Sequence, residues 1–162
     1  MQTIWIKNPL AIYTGNTKDA RGGVVIRGNK IIELVALNAS PSISYDYAVD
    51  ASHHVVTPGL INAHHHFYQT LTRAYPTALN KELFHWLKSL YPVWANLDDE
   101  MHSVATELAL VELMRSGCTT ASDHHYLMPS GLEHAIDIQV ETARKLGVRT
   151  IFTRGSMSLG ED

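Results

Sequence analysis

From Pro58-Gly59 onward the chain alternates short apolar runs with amphipathic stretches, and this alternation constrains the fold more than any other feature. Leu60-Ile61-Asn62-Ala63-His64 reads as a buried strand bounded by a breaker. Phe84, Leu87, Tyr91 and Trp94 then recur at helical spacing, with Pro92 bending or ending that segment. A second helix starts at Asp98, with Asp99 and Glu100 favourable in its first turn and Gly117 as its C-cap. Its expected buried face is Met101, Val104, Ala105, Leu108 and Val111. Cys118–Ser122 reads as a second strand. Ser130-Gly131-Leu132-Glu133 reads as a capping box opening a third helix, with Leu132, Ile136, Val140 and Ala143 inward and Gly147 at its end. Val148–Arg154 is a third strand.

Strand, helix, strand, helix, strand in this order means parallel strands with crossover helices. Both an open doubly wound sheet and a closed (β/α)8 barrel satisfy it. The doubly wound fold favours a Gly-rich loop after its first strand, and histidines stand there instead, which favours the barrel. A complete barrel takes roughly 200 residues or more. Residues 59–162 supply about three β/α units, so the expected class is α/β, a partial (β/α)8 TIM-type barrel that runs out before closing.

Residues 1–58 have a different texture and form the expected first domain, a small β-rich flanking module. Thr3–Ile6 and Gly23–Ile26 are rich in β-branched residues, and Gly28-Asn29-Lys30 separates Val24-Val25-Ile26 from Ile31–Val35 as a hairpin does.

Histidine is the unusual residue: there are 10, and they cluster. In an extended segment side chains alternate, so His64 and His66 point one way and His65 the other. Two imidazoles on one face, at the end of a strand where barrel active sites sit, suit a single metal ion. The competing reading is a polar strand end whose histidines bond backbone groups. Other zinc chemistries fail on the residues. There is no His-Glu-x-x-His, and the single cysteine, Cys118, cannot supply the Cys-x-x-Cys of a cytidine-deaminase site. A net charge of −3 gives no footprint for nucleic acid, no apolar stretch approaches the ~20 residues of a membrane span, and one cysteine fits a reducing cytoplasm.

Pro58-Gly59-Leu60-Ile61-Asn62-Ala63-His64-His65-His66 resembles the first-strand signature of the amidohydrolase superfamily, in which both outer histidines bind metal. His64 through Arg73, Trp86 through Trp94, Ser116 through Tyr126 and Arg154 through Asp162 resemble its branch of aromatic-base deaminases and chlorohydrolases. The resemblance implies a hydrolytic deaminase acting on a purine-like ring of guanine or oxidised-guanine type. It implies one divalent metal, zinc or iron, on His64 and His66, and a homo-oligomer when full-length. It also implies further histidines, an aspartate and a proton-shuttling glutamate beyond Asp162, so the 162-residue chain alone is expected to be inactive. Gln69 and Tyr126 are expected to contact substrate, with Asp123 orienting a metal-ligand histidine. His124 and His125 read as packing or supporting groups, while His85, His102 and His134 carry no site signal. Two alternatives stay open. One is removal of an alkylamine or chloride from a triazine-like ring; the other is a catalytically incompetent metal-binding fragment.

Overall fold

The computed structural model describes residues 1–156. The chain divides into two compact units, Met1–Pro58 and Gly59–Asp162.

The first unit is built on a four-stranded sheet and a two-stranded ribbon. Its strands are β1 (Thr3–Lys7), β2 (Ala11–Ile12), β3 (Gly23–Arg27), β4 (Lys30–Val35), β5 (Tyr47–Asp50) and β6 (Val55–Val56). The sheet runs β4-β3-β1-β5, with β1 antiparallel to β3 and parallel to β5. The β3–β4 hairpin turns at Gly28, whose φ of +59° a side chain would resist. Val24, Val25 and Val35 are buried on this sheet.

The second unit opens with β7 (Leu60–Asn62) and continues through two 3-10 segments, Phe67–Thr72 and Pro76–Ala78. Then come α1 (Leu83–Trp94), α2 (Asp99–Arg115), β8 (Cys118–His125), α3 (Ala135–Leu146) and β9 (Arg149–Arg154). The strands form a parallel sheet in the order β7-β8-β9, giving a mixed α/β unit. Among the described residues no helix is long and apolar enough to cross a membrane.

Several sequence expectations need correction. α1 continues two residues past Pro92, and Phe84 is 74% exposed; Leu90 and Trp94 are the buried positions. In α2 the buried face is His102, Ala105, Thr106, Ala109 and Leu110, whereas Met101, Val104 and Leu108 face outward. α3 begins at Ala135 rather than at the capping box, and the Glu133 carboxylate accepts the Gly131 N–H. Its inner face carries Gln139 and Thr142 in place of Val140. Gly147 does close this helix, in a left-handed conformation at φ +72°.

Leu60 and Ile61 are exposed rather than buried. The reason lies in the two faces of the sheet. Ala121, Asp123 and His125 of β8 are buried on one face, where α2 and α3 pack. Register and alternation put Ile61, Thr120, Ser122, His124, Ile151 and Thr153 on the other. Ile61 and Ile151 there are 73% and 60% exposed, so that face has no apolar cover among the described residues.

Candidate metal centre

The approach to the histidines is fixed by a close backbone contact. A Cβ on Gly59 would sit 2.2 Å from the Thr119 side chain, so only glycine lets β7 lie this close to β8. The Leu60 N–H donates to the Gly117 carbonyl, and β7 follows β8 to the Asn62–Ala121 pair.

Beyond β7 the backbone stays tethered to β8. The His124 N–H donates to the His65 carbonyl at 2.8 Å. Phe67 and Tyr68, next in sequence, are fully buried. Phe67 enters a cluster with Ala109, Leu110, Cys118, Ala121 and Ala143; Tyr68 enters another with Leu90, Trp94 and Leu132. The Thr70 hydroxyl lies 2.8 Å from the Phe67 carbonyl and 3.1 Å from that of Ala105. Burying two aromatic side chains contributes several kcal/mol, at ~25 cal/mol per Å² of apolar area, directly beside the triplet. His64-His65-His66 is therefore a short bridge between two anchored ends.

Within it, His64 and His66 come together, their ring centroids 5.0 Å apart and nearly perpendicular. His65 turns instead to Phe67, at 5.0 Å. The His66 Nδ1 lies 2.6 Å from the His124 carbonyl. A carbonyl only accepts, so Nδ1 carries the hydrogen and Nε2 is left with its lone pair for a ligand. Two imidazole nitrogens held at ~2.0–2.1 Å on one tetrahedral ion put ring centroids about 5 Å apart. The observed spacing fits such an ion. Among the described residues no group of three or more His, Cys, Asp or Glu side chains is arranged to hold a metal.

Asp123 is fully buried on the helix-facing side of β8. It accepts the Phe67 N–H at 2.7 Å and the Gln139 Nε2–H at 2.6 Å. It thus grips the backbone immediately after His66; among the described residues no hydrogen bond joins it to an imidazole, the contact expected of it. Burial pushes its pKa up, opposed by those two donors.

Gln69 lies in the 3-10 segment rather than in a loop, with its Nε2–H pointing to the Tyr68 hydroxyl at 3.3 Å. Together with His65, His66, Thr70, Arg73 and Glu112 it lines a hollow of about 300 Å³, where Arg73 pairs with Glu112 at 2.5 Å. Tyr126 meets the edge of the His66 ring at 5.5 Å and belongs to a separate cavity of about 600 Å³ that Arg154 also lines. The two expected substrate contacts therefore sit in different hollows, with His66 touching both sides. Gly155 lets the floor of the larger cavity form: a Cβ there would lie 2.8 Å from that of Tyr126. The part of the Arg154–Asp162 motif from Met157 onward lies outside the described residues.

Sequence reasoning missed a second pair of imidazoles. His102 and His125 are fully buried, 4.7 Å apart, with the Tyr68 ring 5.4 Å from His125. The His102 Nε2–H donates to the Ala135 carbonyl. Burial pushes both down, His125 to about 4, and neighbouring His102 adds to that depression. His65 is pushed down by burial as well, against the pull of Asp123. Nothing in the spacing of His102 marks it, because its helix carries apolar residues on every side.

The sequence profile of the amidohydrolase family matches residues 55–162. The chain is 56% identical over 161 residues to 8-oxoguanine deaminase of Pseudomonas aeruginosa, covering 99% of this chain and 36% of that protein. It is 37% identical over 105 residues to hydroxydechloroatrazine ethylaminohydrolase of Pseudomonas sp. strain ADP, covering 63% of this chain and 22% of that one. Among solved structures it superposes with a TM-score of 0.81 and 26% identity on an atrazine chlorohydrolase from Arthrobacter aurescens TC1 complexed with zinc, covering 98% of this chain and 37% of that one. The match thus spans between about a fifth and little more than a third of the length of these relatives.

Proposed function

Because this chain belongs to the amidohydrolase family, we propose that it is the N-terminal part of a metal-dependent deaminase that hydrolyses a C–N bond of an 8-oxoguanine- or guanine-type ring and releases ammonia. The observation that carries this reading is the His64–His66 pair, spaced for one ion, with the hydrogen of His66 held on Nδ1. When bound, a divalent ion, zinc in the first instance, would supply Lewis-acid activation of water.

The residues of this chain do the holding and shaping. His64 and His66 hold the ion. Asp123 fixes the backbone that follows them, which keeps the His66 ring on its carbonyl. Gln69, with donor and acceptor on one amide, orients the ring edge from one hollow, and Tyr126 closes the other side. The uncovered face of β7-β8-β9 supports the barrel half of the reading. Parallel sheets are buried on both faces, so Ile61, Ile151 and their neighbours become barrel interior once further strands close the sheet. The remaining ligands and the proton-transfer groups belong, in this reading, to segments outside residues 1–162, and the assembled protein is a homo-oligomer.

A second reading is hydrolytic removal of an alkylamine or chloride from a triazine-like ring, favoured by the likeness to the ethylaminohydrolase and the chlorohydrolase. The test is release of ammonia, alkylamine or chloride by the full-length, zinc-loaded protein given 8-oxoguanine, guanine and chloro- or alkylamino-triazines. Ammonia from the purines with no triazine turnover is the expected result. The converse pattern overturns the first reading in favour of the second.

A further inference from the structure

We propose that His124 is a positioning residue for the metal centre, holding the His64 ring from the neighbouring strand. The inference rests on His64 and His66 as metal ligands and adds a role that the motif does not contain. His64 lies just beyond the end of β7, where no strand pairing fixes its side chain. The His124 ring stacks on it at 4.7 Å with an interplanar angle of 27°. His124 is itself held in place: its Nε2 lies 3.2 Å from the Ala63 carbonyl, which only accepts, so Nε2 carries the hydrogen. That bond ties the ring to the residue immediately before His64.

The backbone of the same residue serves the other ligand, since the His124 carbonyl receives the His66 Nδ1–H and the His124 N–H reaches the His65 carbonyl. One residue of β8 therefore touches each of the three histidines. With Nε2–H committed to Ala63, His124 offers no Nε2 lone pair to the ion. On the far side Thr153 lies 3.5 Å from its Nδ1, but the Thr153 hydroxyl already donates to the Asp123 carbonyl at 3.1 Å. The side chain of His124 is thus turned toward His64 by what surrounds it. Pre-setting one ligand rotamer removes part of the ordering cost of binding an ion, which is how outer groups tune metal sites.

The experiment measures zinc affinity by chelator competition on the full chain, for the wild type, His64→Ala, His124→Leu and His124→Phe. Leu fills volume without an aromatic face, whereas Phe keeps the stack and loses the bond to Ala63 and the Nδ1 contact with Thr153. The expected result is a loss of about tenfold or more in His124→Leu, in the range typical of outer-shell changes, with His124→Phe close to wild type. Cobalt substitution adds a spectroscopic readout: the visible bands should shift in His124→Leu and not in His124→Phe. Unchanged affinity and spectrum in His124→Leu, while His64→Ala loses zinc, overturns this inference alone. If His64→Ala binds zinc as the wild type does, the metal reading itself fails.

Discussion

Lowering the pH from about 7.5 to about 5 should destabilise this fold through His125, and the size of the effect follows from its burial. The imidazole is fully buried and its pKa falls from the ordinary 6.5 to about 4, chiefly by desolvation. The unfolded chain takes up a proton near 6.5 while the folded chain resists until about 4. The stability is therefore complete above pH 6.5 and is lost as pH falls from there toward 4, with no further loss below. Each unit of pKa difference corresponds to about 1.4 kcal/mol, so roughly 3 kcal/mol is at stake in full and about 2 kcal/mol by pH 5. For a chain of this size that lowers the melting midpoint by about 4–8 °C. His102 and His65 are pushed the same way and Asp123 the opposite way, so the wild type alone mixes several groups. The comparison with His125→Phe isolates one. Neither His125 ring nitrogen completes a hydrogen bond among the described residues, so an apolar ring of similar size suits the site. Urea unfolding at both pH values should show the variant about 2 kcal/mol less pH-sensitive than the wild type. Parallel pH profiles for the two proteins would refute the argument.

Other consequences follow from the same geometry. Asp123→Ala leaves the buried Phe67 N–H and the Gln139 amide without their acceptor and should cost about 3 kcal/mol in urea unfolding. Asp123→Asn should cost clearly less, because Gln139 can present its unpartnered Oε1 to the new amide; equal losses would show that the acceptor role is misassigned. Gly59→Ala should destabilise by about 1–3 kcal/mol through the clash with Thr119, and Thr119→Gly in the same chain should recover most of it. Additive effects in that double-mutant cycle would contradict the close approach. Asp98→Ala removes the acceptor for the Met101 N–H at the start of α2 and should cost about 1 kcal/mol, with helicity otherwise intact.

What the sequence made legible is the part governed by simple periodicity and by residues with one conformational use. The alternation after Pro58 and the turn at Gly147 are of this kind, and the histidine triplet announces itself. Helix phase was harder. α2 carries Met101, Val104 and Leu108 outside and Ala105, Ala109 and Leu110 inside, so apolar spacing gives it no direction. α3 buries the polar Gln139 and Thr142, which stand outside the expected apolar stripe, with Gln139 beside Asp123. Asp123 itself was singled out, but its grip on the Phe67 amide spans 56 residues and has no local signal. The same holds for His102 and His125, brought together by the packing of α2 against β8.

The central claim is that His64 and His66 share one ion, and anomalous diffraction at the zinc edge from crystals of the full chain tests it most directly. The account predicts one strong peak within about 2.0–2.1 Å of an imidazole nitrogen of each ring, on Nε2 for His66, with its Nδ1 still on the His124 carbonyl. A peak elsewhere in the molecule, or the two rings found turned away from each other with zinc present in solution, would contradict it.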